Sequence, residues 1–242
     1  MALDPANDVL IPILARAPVY SAADALSVLG AIVDALPAND GIRAFSRLYQ
    51  AVTADVRDAL GTTMFSNPAW LDRLDAEFAN LYFRALKLFV HDSPDTPRAW
   101  YPLFAARSES RAAIQFALAG MNAHINRDLP VALVTACNAA GIELSRASPE
   151  YHDFLAVNPL LANVQEHIKS EFLTGGLAVA DHLLGRLDDL VANFSVVEAR
   201  AGAWSHGEAL WALRGSEFLS STFLDALDGL VGFASRGLLI AI

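Results

Sequence analysis

The chain has 242 residues, enough for one large domain or two small ones, and is 54% hydrophobic with a mean hydropathy of +0.35. A net charge of −10 and a pI of about 4.9 exclude the basic footprint that nucleic-acid affinity requires, and equally a docking surface for anionic membranes. One cysteine, Cys137, excludes an intrachain disulfide framework and a multi-cysteine zinc site, and apolar residues never run the roughly 18 positions of a membrane span.

The opening MALDPANDVLIPIL lacks a basic stretch and carries Asp4 and Asp8, so no export signal is expected and the compartment expected is the cytoplasm. Cations are mostly arginine, with Lys87 and Lys169 the only lysines; with the alanine richness this fits a GC-rich bacterial genome. Ser21 then opens SAADALSVLGAIVDAL with Asp24 three residues on, a variant capping box, and Pro37 closes it. Ile42, Phe45, Leu48, Tyr49, Val52, Val56 and Leu60 repeat at helical spacing up to Gly61. Asn67 and Pro68 form a cap and first-turn pair that opens AWLDRLDAEFANLYFRALKLFV, and HDSPDTP, residues 91–97, is the clearest loop. A long pattern covers residues 110–140 with an interruption at Pro130, and GIELSRASPE reads as a connector. Asn158-Pro159 starts another helix that stops at Thr174-Gly175-Gly176, and three more helical segments complete the chain. No segment alternates cleanly enough to prefer strand. The expectation is one all-α domain over residues 1–242, a bundle of roughly seven to ten helices.

Within the long pattern, GMNAHINRDLP sets polar side chains at every second position between apolar flanks. On an α-helix this becomes two i,i+4 pairs on opposite faces, His124 with Asp128 and Asn122 with Asn126. Such a turn cannot lay a single apolar stripe on a core. Pro130 removes an amide donor and frees carbonyls near Asn126. These four residues either fix helix register through hydrogen bonds or form a functional cluster, with the His–Asp pair suited to proton transfer and the asparagines to orienting a ligand.

Other polar residues are candidates to meet the cluster. Asp153, in EYHDFLAVN, is either a solvated loop carboxylate or a catalytic partner, and Asn158 is most simply a helix cap. Tyr82 lies on an aromatic-rich helix, as a core residue or a substrate contact. Arg200 and Trp204 stand i,i+4, as a packing pair or as a place for a carboxylate or phosphate beside an aromatic pocket. No Gly-x-Ser-x-Gly elbow or phosphate loop is present, and Cys137 is expected as a buried inert thiol.

AGMNAHINRDLPVAL, with HDFLAVN and EARAGAW in the same order behind it, resembles the recurring segments of a bacterial family described as domain of unknown function 5995, over residues 40–235. That resemblance supplies a grouping and no reaction. His124 and Asp128 with Pro130 behind them, and His167 with Glu171 downstream, also resemble the helical His-x3-Asp and His-x3-Glu pairs of all-α zinc-dependent phospholipases C. That likeness implies a divalent metal such as zinc held by His124 and Asp128, generating hydroxide near neutral pH. The remaining upstream ligands of those enzymes find only His91 here.

Three functional expectations follow. The first is an enzyme acting on a hydrophobic small molecule in an apolar helical pocket by acid–base chemistry, whether proton transfer, cyclisation or hydrolysis, as a biosynthetic tailoring enzyme would. The second is a metal-dependent hydrolase of phosphoester or lipid-like substrates, and the third a non-catalytic helical module that binds a ligand or partner. The uncharged tail after Arg236 is expected to pack on the core or in a homodimer interface.

Overall fold

A computed structural model of the protein describes residues 5–161 and 195–240, and among these every regular element is helical. α1 (Pro5–Leu14) and α2 (Ala22–Ala35) lie against α4 (Pro68–Val90), and α3 (Gly41–Leu60) runs beside α2. A short α5 (Tyr101–Ala105) leads to a rod made of α6 (Ala113–Ala123), a π-helical turn (His124–Asp128) and α7 (Leu129–Ala140). α8 (Pro149–Ala156), α9 (Val196–Leu213) and α10 (Glu217–Leu238) complete the described chain. The rod is the centre of the fold: α3, α4, α9 and α10 all pack on it. That is why its sequence is apolar around most of its circumference.

The helix starts follow local chemistry. Ser21 Oγ accepts the Asp24 amide at 3.1 Å, and Asn67 Oδ1 accepts the Trp70 amide at 3.2 Å. Asp40 caps α3 through the Ile42 amide at 2.8 Å, while its other oxygen takes Arg107 Nε at 2.8 Å in a buried ion pair. Three helices were hidden in the sequence, the five-residue α5 among them. α1 carries Pro12 in its interior, which blurs a helical reading, and α8 occupies residues expected as connector and loop, started by Ser148 and Pro149.

The core is built on Phe45, Tyr82, Phe83, Trp100, Phe104 and Phe116, all essentially without solvent exposure. Burying each contributes on the order of 1.5–3 kcal/mol, and edge-to-face contacts such as Phe45 on Tyr82, at 5.1 Å and 80°, add to this. Close approach of α3 to α6 requires Gly120, where an added Cβ would lie 2.2 Å from the Phe45 ring.

The tail packs on the core in part. Leu239 is buried, and Gln115 Nε2 on α6 donates to the Leu238 and Ile240 carbonyls at 2.9 Å each. The outer face of α10 leaves Phe218, Leu230 and Phe233 exposed. No helix of the described residues is long and apolar enough to cross a membrane.

Two glycine substitutions separate packing from backbone propensity. Gly120→Ala drives a methyl into Phe45 and is expected to cost about 1–3 kcal/mol or more. Gly202→Ala, in α9 with nothing within 4 Å of the added carbon, is expected to gain about 0.5–1 kcal/mol. Urea midpoints at constant m-value measure both.

Candidate functional site

The polar stretch at the rod's centre is not the continuous α-helix its spacing implies. Residues 124–128 form a π-helical turn in which the Leu129 amide donates to the His124 carbonyl, five residues back. Pro130 explains it. In an α-helix its ring would collide with the Asn126 carbonyl, and widening the turn by one residue relieves that clash. The widened turn still brings His124 Nδ1 within 3.3 Å of Asp128 Oδ2.

Asp128 is wholly buried and surrounded by donors. Its Oδ2 also accepts Trp100 Nε1 at 2.9 Å, and its Oδ1 accepts Arg127 Nη1 at 2.8 Å. A carboxylate facing Nδ1 requires the hydrogen there, so Nε2 is left with its lone pair. Nε2 is buried and has no hydrogen-bond partner. The imidazole is held by rings: Phe78 stacks on it at 3.4 Å and 6°, and Tyr49 meets it at 4.5 Å.

His124 lines a cavity of about 90 Å³ between α3, α4, the π turn and α9. The walls are apolar, including Leu48, Val52, Leu71, Leu74, Ile125, Val157 and Leu161. Four lining residues break that pattern: Tyr49, Asp75, His124 and Arg200. The Tyr49 hydroxyl, Asp75 Oδ2 and His124 Nε2 are all buried without a hydrogen-bond partner. Each such atom costs about 1–3 kcal/mol, and native proteins hold few of them. Three on one small cavity mark it as the candidate site.

Burial moves the two proton-carrying groups toward each other. It raises the Asp75 carboxyl from 3.8 to about 7, helped by the nearby Asp72 carboxylate. It lowers His124 below its ordinary 6.5, with Asp128 opposing in part. Near neutral pH the cavity therefore holds a neutral imidazole and a carboxyl that retains a large share of its proton. The Tyr49 hydroxyl is pushed well above its usual range, by burial first and by Asp75 second, and stays protonated.

The structure brings two of the sequence candidates, His124 and Arg200, to this cavity and places the rest in the frame. Asn122 Nδ2 donates to the Val231 carbonyl and Ser235 Oγ on α10, both at 3.0 Å, and Asn122 Oδ1 accepts Asn126 Nδ2 at 2.9 Å. This pair ties the rod to α10, on the side away from the cavity. Asp153 lies on α8, not in a loop, and both its oxygens accept amides at the start of α4, from Ser66 at 2.8 Å and Asn67 at 2.6 Å. The Tyr82 hydroxyl pairs with Ser46 Oγ at 2.7 Å in the core. Trp204 packs on Tyr151 and Phe154. Cys137 is buried and its thiol is pushed up to about 11 by burial, so it is a poor nucleophile. Asp75 and Tyr49 were missed as site residues. The signal was present for Asp75, which shares one stripe of α4 with Leu71, Leu74 and Phe78.

His124 and Asp128 form a hydrogen-bonded dyad, with both Asp128 oxygens engaged, rather than two donors turned to one ion. Among the described residues no three of His, Cys, Asp and Glu gather in a group able to hold a metal. The second pair of the phospholipase likeness, His167 and Glu171, lies outside the described residues.

A family model described as family of unknown function (DUF5995) matches residues 22–241, and the chain belongs to that family. No curated protein and no solved structure matches the chain.

Asp75 has a direct thermodynamic signature. Folded, it binds its proton more tightly than unfolded, so its contribution favours the fold below about pH 4 and is lost as pH rises through about 7. Above that the fold carries an ionised, desolvated carboxylate. Asp75→Asn should therefore gain stability over the parent as pH rises from 4 to 8, by at most about 4 kcal/mol. Urea midpoints at several pH values measure the difference; a flat difference would show that burial does not raise the Asp75 carboxyl.

Proposed function

We propose that this member of the DUF5995 family is an enzyme that moves protons on a small hydrophobic molecule, with His124 as general base and Asp75 as general acid. The observation that carries this is the meeting, in one apolar cavity, of an unpartnered imidazole nitrogen and an unpartnered carboxyl whose environments push their proton affinities in opposite directions.

Each part has a role. Asp128 holds the hydrogen on Nδ1, so Nε2 presents its lone pair and the imidazolium formed on proton uptake finds an adjacent carboxylate. Trp100 and Arg127 fix Asp128 in turn. Asp75 delivers a proton to an oxygen of the substrate as His124 removes one from carbon, giving an enol or a shifted double bond with no net change in protons. The Tyr49 hydroxyl stands ready to donate a hydrogen bond to the same oxygen. Apolar walls exclude water, which strengthens these interactions. Cyclisation and hydrolysis use the same pair, with His124 activating a hydroxyl group or a water.

A base in an apolar pocket is testable before the substrate is known. 5-Nitrobenzisoxazole is a small flat apolar compound whose ring opens when a base removes one carbon-bound proton. The protein should open it with saturation kinetics, at a rate well above buffer. His124→Gln should lose about 10²-fold, the scale of general-base catalysis. Asp75→Asn should retain the reaction, which needs no acid. Equal rates for the parent and His124→Gln would reject His124 as the base. Binding of the probe with no acceleration would leave a ligand-binding module and overturn the enzymatic reading.

A further inference from the structure

Arg200 has no place in the proton transfers above, yet it lines the same cavity and is only 8% exposed. Its partners are neutral. Nε donates to Asn158 Oδ1 at 2.9 Å and Nη2 to the Phe154 carbonyl at 2.7 Å, while the guanidinium carbon sits 4.0 Å over the Phe154 ring. These bonds occupy two of its five donors. Among the described residues no carboxylate pairs with it. Burial accordingly pulls it well below its ordinary value, down to about 9.

Among the described residues the other buried arginine is handled differently. Arg107, 3% exposed, lies 2.6 Å from Asp40 and also donates to Asn7 Oδ1 at 2.9 Å. Burying a cation without a counter-ion is costly, and proteins avoid it unless the counter-ion arrives with a ligand. Arg200 is also the only cation among the described residues lining the cavity.

We infer that the cavity takes a hydrophobic monocarboxylate, its carboxylate on Arg200 and its apolar body along Leu74, Phe78, Val157 and Leu161 toward His124. One guanidinium matches one negative charge, and its planar edge matches a carboxylate. A phosphate dianion asks for more positive charge than these walls supply. The carboxylate is a handle: Arg200 belongs to α9 and His124 to the π turn, so binding energy at one end of the molecule orients proton transfer at the other. This inference rests on the acid–base reading of the same cavity and names its substrate class.

Isothermal titration of the full chain at pH 7 with octanoate, 1-octanol, octylamine and octyl phosphate tests it. Octanoate should bind at least about tenfold tighter than 1-octanol, with octylamine weakest. Arg200→Met should remove that preference while leaving 1-octanol within about threefold, and Arg200→Lys should keep part of it. Equal binding of octanoate and 1-octanol by the parent, or binding of neither, overturns the inference, and this comparison stands even if the Arg200 variants fail to fold. Tighter binding of octyl phosphate than octanoate overturns the carboxylate assignment. Ring opening of 5-nitrobenzisoxazole without octanoate preference leaves the acid–base reading standing alone. Octanoate preference without ring opening leaves only the ligand class.

Discussion

The Asp128 carboxylate is the point on which the rest of this structure depends. It is completely buried, and it is tolerated there because Trp100, His124 and Arg127 all donate to it. Desolvating a carboxylate costs several kcal/mol, and only charge-assisted hydrogen bonds of this number offset it. Its donors come from two pieces of architecture, the segment before α5 and the π turn, and through Arg127 they reach a third. Trp100 precedes α5 and stacks on Phe104 at 5.3 Å. His124 opens the π turn. Arg127 reaches back toward Asp228 on α10, at 3.4 Å, and Asp228 in turn accepts the amides of Arg98 and Ala99. One acidic side chain thus links the aromatic core, the central rod and the last helix, and it fixes the tautomer of the imidazole that faces the cavity.

The cavity reverses that logic. Both Asp128 oxygens are satisfied; on the cavity side, Tyr49, Asp75 and His124 each present a polar atom that is not. Three such atoms cost on the order of 3–9 kcal/mol together, comparable to the whole net stability of a domain. The aromatic core of six essentially unexposed side chains is what offsets such a cost. Instability is concentrated where an incoming molecule would relieve it, as expected of a binding or catalytic site.

Much of the frame was legible in the sequence because it is written in local chemistry. Ser21 and Asn67 announce the helices they cap, and residues 91–97 read as a loop on their prolines and polar residues alone. The polar stretch was recognisable as two opposed pairs, and the pairs do face different ways, Asn122 to α10 and His124 to the cavity. The π turn was not legible, because a periodicity of 100° per residue does not register one inserted residue; Pro130 was the only hint. Asp153 was misplaced because α8 is short and its start at Ser148 and Pro149 was taken for connector. Asp75 was overlooked because an acid three residues from Asp72 on an amphipathic helix is an ordinary surface pattern. What distinguishes it is which side of α4 faces α3 and the rod, a tertiary fact.

Asp72 and Asp75 carry this last point further. They are the same residue type, three positions apart on one helix, yet they face different environments. Asp72 Oδ1 accepts the Ala22 amide at 2.8 Å, at the first turn of α2, where the helix dipole favours negative charge. Asp75 Oδ2 has no donor and faces apolar walls. A fixed negative charge on Asp72 then adds to the cost of ionising Asp75. The same packing lowers His124, where burial outweighs the attraction of Asp128. Packing α2, α3 and the rod around α4 therefore does more than bury area. It sorts one carboxylate to hold a helix start and the other to keep its proton beside a neutral imidazole. That sorting is set by position in the fold rather than by residue identity, and it is the physical basis of the proposed acid and base roles.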